Sequence, residues 1–195
     1  MTKSEIRKLY LEKRKTLSED EVLSLSEKIF ENFNTQFKPI ENQKVHVFLP
    51  IDKFNEINTF LFINYFFRNK IRVFVPKMID ENLISIEIFP DSKFSQNLWE
   101  IFEPESDEDS GEKEFDFVIT PLLYSDNQGN RVGYGKGFYD KFFSELNSKT
   151  KKIGVNYFKP EEKIDDVEAF DIPLDYLVTP TEVLSFGNLA SKFSK

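Results

Sequence analysis

A chain of 195 residues, 39% hydrophobic and 31% charged, has enough apolar surface for one core and too little length for two large ones, so a single domain over residues 1–195 is expected. A net charge of −8 repels polyanions, which argues against nucleic acid or an anionic membrane as partner and leaves room only for a local basic site that takes a small anion. The absence of cysteine removes disulfides and thiolate chemistry. The N-terminus "MTKSEIRKLYLEKRK" has no apolar signal core, and no run approaches the ~20 apolar residues of a membrane span, so the expectation is a cytoplasmic monomer. The 22 phenylalanines read as core filling.

The first forty residues read as two helices. Ser4 is placed to cap the first, and Ser18 with Glu21 makes a capping box for the second, whose Val22, Leu25, Ile29 and Phe33 recur at helical spacing. In the first helix Lys3, Arg7 and Arg14 fall within about 40° of one another at ~100° per residue. That basic stripe is either a solvated face balanced by Glu5 and Glu12 or an anion-binding one.

Next come a short buried strand, "VHVFLP" (45–50), a helix, "NTFLFINYFFRN" (58–69), and a strand closed by proline, "IRVFVP" (71–76). This βαβ unit requires parallel pairing and a right-handed crossover. Further strands are read at "ISIEIF" (84–89), "FDFVITP" (115–121), "KKIGVNY" (151–157) and, as the last, "YLVTP" (176–180), with a helix at "GFYDKFFSEL" (137–146). The fold class is α/β: three αβα layers, a central, mainly parallel sheet and two N-terminal helices. The acidic run "EPESDEDSGEKE" (103–114) suits a solvated loop or a mobile cover. His46, the one histidine, lies on a buried strand and reads as a satisfied core residue rather than a general base.

The segment "GNRVGYGKGFYDKF" (129–142) lies between a strand and a helix, at the carboxyl end of a sheet strand, where open α/β sheets bind ligands. Gly133, Gly135 and Gly137 permit positive φ and a close backbone approach, and the helix N-terminus adds partial positive charge. This spacing is neither the dinucleotide fingerprint nor the P-loop, and glycines alone also fit a tight turn. Arg131 and Lys136 beside the amide donors favour a phosphate cradle. Asp140 is then either a helix-dipole partner or a ligand for Mg²⁺, which takes one or two carboxylates with phosphate oxygens. A second carboxylate is on offer at Asp171 or Asp175.

Taken together, "GNRVGYGKGFYDKF" preceded by "DFVITPLLYSDNQ" resembles the hallmark segment of the 5-formyltetrahydrofolate cyclo-ligases, also called methenyltetrahydrofolate synthetases. "KSEIR" (3–7), "FLPIDKFNEINT" (48–59), "WEIFEP" (99–104) and "FDIPLDYLVTP" (170–180) resemble further elements of that family in the same order. The resemblance implies ATP contacts from Lys3, Ser4, Glu5, Ile6, Arg7, Arg131, Val132, Gly133, Tyr134, Gly135, Lys136, Gly137, Phe138 and Tyr139. It implies contacts to 5-formyltetrahydrofolate from Leu49, Glu56, Tyr134, Gly135, Lys136, Gly137 and Phe138, and Mg²⁺ ligation by Asp140 and Asp171. Lys136 and Arg131 take the catalytic role of offsetting charge on the transferred phosphoryl group. The implied reaction consumes ATP: the formyl oxygen attacks the γ-phosphorus, and N10 then closes on the phosphorylated carbon with loss of phosphate.

Without the resemblance Glu56 reads as an exposed acid after a strand; with it, as an acceptor for the pterin N–H edge. Trp99 either stacks on folate or fills core. Phe138 stands where the family usually has tyrosine, Lys141 where arginine is common, and "PLLYSD" replaces a more glycine-rich approach. The competing class is a nucleotide or folate sensor on the same scaffold, for which the full set of Arg131, Lys136, Asp140 and Asp171 would be superfluous.

Overall fold

Thr2 accepts the Glu5 N–H while the Glu5 carboxylate accepts the Thr2 N–H, and this reciprocal box starts helix α1 (Lys3–Lys15). Ser4, expected as the cap, lies inside the first turn, because the acid three residues on that a box requires follows Thr2 and not Ser4. Ser18 and Glu21 form the expected box at the start of α2 (Glu19–Phe37), which ends at Lys38 in the left-handed region. The structure is a computed structural model that describes residues 1–80, 82–97 and 101–187.

The remaining elements are β1 (Lys44–Val47), a single 3-10 turn (Asp52–Phe54), α3 (Phe60–Arg68), β2 (Arg72–Ile79), β3 (Asn82–Ile88), β4 (Phe94–Gln96), β5 (Phe102–Pro104), β6 (Phe117–Thr120), β7 (Tyr124–Ser125), β8 (Arg131–Val132), α4 (Phe138–Ser144), β9 (Lys151–Val155), β10 (Tyr176–Val178) and β11 (Val183–Ser185). Seven strands form one sheet in the order β11-β10-β9-β6-β1-β2-β3, parallel from β10 to β2 and antiparallel at both edges. This is the expected α/β sheet, with two differences. β11 continues the sheet beyond residues 176–180, which read as the last strand. Pro76 does not close β2, since the strand runs on to Ile79 paired with β3 alone. Pairing with β1 stops at Phe74, so the missing N–H of Pro76 falls where no ladder bond is needed.

Side-chain alternation builds two apolar layers on the sheet's faces. Val45, Val47, Val73, Val75, Phe117, Ile119, Ile153 and Val155 meet Ile29 and Phe33 of α2 and Phe62 and Phe66 of α3. Phe74 and Val118 point to the other face, with Phe142 and Phe143 of α4. A third cluster joins Ile6 and Tyr10 of α1 to Leu123, Tyr124 and Val132 of the β7–β8 pair. The acidic run is no free cover: Lys77 binds Asp107, Lys44 binds Glu112, Lys113 binds Glu145, and the Asp109 carboxylate accepts the Ser85 N–H.

His46 is fully buried, its ring 4.7 Å from that of Phe142 and 5.4 Å from that of Phe115, and neither ring nitrogen has a hydrogen-bond partner. It is a core residue as expected, though not a satisfied one. Burial, with the charge of Lys113 adding, drives its pKa down to about 3. The folded state therefore binds fewer protons than the unfolded chain below pH ~6.5, and stability falls as pH drops from there towards pH 3. The loss from this one group is about 1.4 kcal/mol per pH unit across most of that window. Urea melts of the wild type and of His46→Leu at pH 7 and 5 should differ by this increment; identical pH slopes would refute a neutral buried imidazole.

Candidate active site

The basic stripe of α1 turns inward, which excludes a solvated face. Lys3 Nζ pairs with Asp171 Oδ2, and Arg7 Nε donates to the Gly133 carbonyl at 2.9 Å. Arg14, 2% exposed, donates to the Leu122 carbonyl and stands 3.5 Å from the Tyr134 hydroxyl. At 1.5 Å rise per residue the helix spaces these cations over roughly 16 Å. They mark three stations along the inner face of α1.

A crevice opens where the strand order reverses. β1 leads to β2 on one side, while β6 leads to β9 and β10 on the other, and this switch point is where such sheets take ligands. The chain leaving β1 carries Leu49 and Glu56; the chain leaving β6 carries the β7–β8 pair and the glycine loop. Between the loop and α1 lies a cavity of about 540 Å³ lined by Lys3, Arg7, Pro121, residues 131–140, Phe170 and Asp171.

Gly135 and Gly137 adopt φ of +90° and +69°, the left-handed conformation expected of them, whereas Gly133 does not. A Cβ on Gly135 would stand 3.1 Å from Arg7 Nη2, so the bare glycine lets the guanidinium lie against the loop. Gly137 is the N-cap of α4 and places Asp140 in its first turn.

Arg131 has a side chain only 7% exposed. Its Nη2 bonds Asp140 Oδ1 at 2.7 Å, its Nη1 donates to the Ile172 carbonyl, and its guanidinium stacks 4.4 Å from the Phe143 ring centre. Burial pulls the Arg131 pKa down and the Asp140 charge opposes that shift. Asp140 Oδ1 also accepts the Ile172 N–H at 3.0 Å, so Asp140 is a counter-ion and a clamp, more than a dipole partner. Asp171 Oδ2 accepts from Lys3 and from the Glu168 N–H. Asp175 instead pairs with Lys152 at 3.0 Å and does not line the cavity. Lys136 is exposed and, among the described residues, has no hydrogen-bond or ion-pair partner.

The donor set fits one hard cation. Both contacts of Asp140 fall on Oδ1 and both of Asp171 on Oδ2, leaving an oxygen of each carboxylate for another partner. No third metal-ligating side chain joins them among the described residues, so an ion here would complete its shell from phosphate oxygens and water, as Mg²⁺ does.

Glu56 is 5% exposed, which excludes a solvated acid. Its Oε1 accepts from the Tyr134 hydroxyl at 2.7 Å and its Oε2 from the Ile51 N–H at 2.9 Å. Burial pushes its pKa up, opposed first by the charge of Arg14. Glu56, Arg14, Phe48 and Leu122 meet around a gap with no room for a water molecule, and the Tyr134 hydroxyl links Glu56 to the cavity.

Of the residues singled out in the sequence, Lys3, Arg7, Arg131 to Asp140 and Asp171 therefore converge, and Glu56 meets them through Tyr134. Ser4, Glu5, Ile6 and Leu49 do not line the cavity. Glu5 is occupied in the capping box, Ile6 is core and Leu49 is 7% exposed in the main core cluster. Phe138 lines the cavity with a ring and no hydroxyl; Lys141 instead ties α4 to Asn82. Trp99 lies outside the described residues. Arg14, on the basic stripe but not among the expected site residues, reaches Tyr134; its place as a third cation on the face of Lys3 and Arg7 is the signal in the sequence.

The family model described as the 5-formyltetrahydrofolate cyclo-ligase family matches residues 1–180. A 5-formyltetrahydrofolate cyclo-ligase of Mycoplasma pneumoniae is 30% identical over 184 residues, covering 91% of this chain and 98% of the relative. That of Escherichia coli strain K12 is 30% identical over 179 residues, with 88% and 97% covered. The solved structure of Aquifex aeolicus 5,10-methenyltetrahydrofolate synthetase superposes with a TM-score of 0.82 at 30% identity, covering 96% of this chain and 94% of the other.

Proposed function

The chain belongs to the 5-formyltetrahydrofolate cyclo-ligase family, and on that premise we propose that the crevice at the β1/β6 switch point converts 5-formyltetrahydrofolate to 5,10-methenyltetrahydrofolate with ATP as cosubstrate. The observation that carries the site assignment is the convergence of Lys3, Arg7, Arg131, Lys136, Asp140 and Asp171, distant in sequence, on one cavity. Four cations around glycine backbone make a cradle for a polyphosphate, and two carboxylates suit its metal.

Phosphoryl transfer asks mainly for positioning and neutralisation of charge. Arg7 lies against the glycine loop and Arg131 is fixed by Asp140, so both present oriented donors to phosphate oxygens. Lys136, uncommitted, supplies a positive charge that can follow the γ-phosphoryl group. Glu56 and the Tyr134 hydroxyl hold the pterin edge at the other end of the crevice, bringing the formyl oxygen to the γ-phosphorus. ADP leaves, N10 attacks the activated formyl carbon, and phosphate departs with the former formyl oxygen and takes up the proton that N10 gives up. Mg²⁺, held by Asp140 and Asp171 when bound, supplies charge neutralisation between the phosphates. No side chain acts as general base.

The test is spectrophotometric: the purified protein is given 5-formyltetrahydrofolate with and without ATP and Mg²⁺, and methenyltetrahydrofolate is followed by its absorbance. Product formed only with both ATP and Mg²⁺ is expected. Product independent of ATP, or none, would overturn the reading, and binding without turnover would mark a sensor.

A further inference from the structure

The most exposed large apolar side chain among the described residues is Phe170, at 71%, and it lines the cavity immediately before Asp171. Its ring has no aromatic partner among the described residues. Nor does it sit on a loose loop: the Asp171 N–H donates to the Glu168 carbonyl at 3.1 Å, the Asp171 carboxylate accepts the Glu168 N–H at 2.6 Å, and Lys3 clamps that carboxylate. An aromatic held out to solvent on a pinned turn, at the rim of a cationic cavity, is a stacking platform waiting for a flat ligand group.

We propose that Phe170 stacks on the purine base of the nucleoside triphosphate, an inference that rests on the nucleotide reading of this cavity. The stations along α1 decide which ligand it serves. Arg14 marks the Glu56 end, Arg7 lies against the glycine loop, and Lys3 marks the Phe170 end, roughly 16 Å from Arg14 along the helix. The pterin is held at the Glu56 end and the phosphates lie on the loop, so the base, at the opposite terminus of the triphosphate from the reacting phosphorus, falls at Phe170. Stacking needs only a π-face, which is why a phenylalanine without polar atoms suffices, while Lys3 beside it reaches the first phosphates.

The experiment is calorimetric titration of the wild type and of Phe170→Ala with Mg²⁺-ATP, with inorganic tripolyphosphate and Mg²⁺, and with 5-formyltetrahydrofolate. A ring so exposed contributes little to folding, so both proteins should melt at the same temperature. Phe170→Ala should weaken ATP about tenfold, within the range for loss of one base–aromatic stack, and leave tripolyphosphate and 5-formyltetrahydrofolate unchanged; Phe170→Trp should restore ATP affinity. Unchanged ATP affinity, equal weakening of ATP and tripolyphosphate, or weakening of 5-formyltetrahydrofolate instead would each overturn the assignment. A wild type that binds no ATP would overturn the function reading itself, and this one with it.

Discussion

Lys136→Ala is expected to lower kcat for methenyltetrahydrofolate formation by about 10²–10³, the usual loss when one donor to developing charge is removed, without moving Tm. Every other cation on the cavity is committed: Lys3 to Asp171, Arg7 to the Gly133 carbonyl, Arg131 to Asp140. Lys136 alone of these has no partner among the described residues and lies exposed on the loop. An exposed side chain with no hydrogen-bond or ion-pair partner among the described residues has little structural work to lose. Its charge is also the one free to move with the transferring phosphoryl group, so the loss should fall on kcat more than on KM for ATP. Steady-state kinetics of the variant, with thermal melts alongside, test both halves. Turnover near the wild-type value would remove Lys136 from the mechanism, and a lowered Tm would show that it supports the fold.

Asp140→Ala should abolish turnover and, unlike Lys136→Ala, also destabilise the protein, by about 3 kcal/mol, the scale for stranding a buried charge. The Arg131 side chain is 7% exposed, and Asp140 is its only ion-pair partner among the described residues. The same carboxylate fixes the Ile172 N–H, so its removal also frees the segment that carries Asp171. Asp171→Ala leaves the more accessible Lys3 unpaired, its side chain 20% exposed, and should cost less stability. Chemical melts of the two variants rank these costs, and an equal loss in both would contradict the buried role of Asp140. The double variant Arg131→Met, Asp140→Ala should recover part of the stability without recovering activity.

Much of this was legible in the sequence. Short buried runs in β1, β2 and β6, the β-branched alternation of residues 84–89 and the Ser18–Glu21 box made the α/β order readable. The glycine loop declared its cations and acid by simple adjacency. What stayed hidden depends on contacts far apart in the chain. Nothing local to Glu56 says that Tyr134 and Ile51 bury it, and nothing local to Arg14 says that the Leu122 carbonyl waits for it. Pro76 read as a strand end because the sequence does not record where the neighbouring strand stops. Ser4, Glu5 and Ile6 belong to the same short motif as Lys3 and Arg7 but do not line the cavity, Glu5 being spent on capping and Ile6 on the core.

Two ion pairs line the crevice side by side. Lys3 with Asp171 and Arg131 with Asp140 make this part of the site close to electroneutral before any ligand arrives, and each carboxylate already fixes the direction of its cation. Under the proposed function, arrival of a metal-bound polyphosphate would be an exchange of partners, carboxylate to metal and cation to phosphate, in place of the assembly of loose charges. Little side-chain freedom remains to be lost on binding, which is preorganisation in its literal sense. A protein of net charge −8 can thereby take up a highly charged anion without maintaining a strongly positive surface around the entrance.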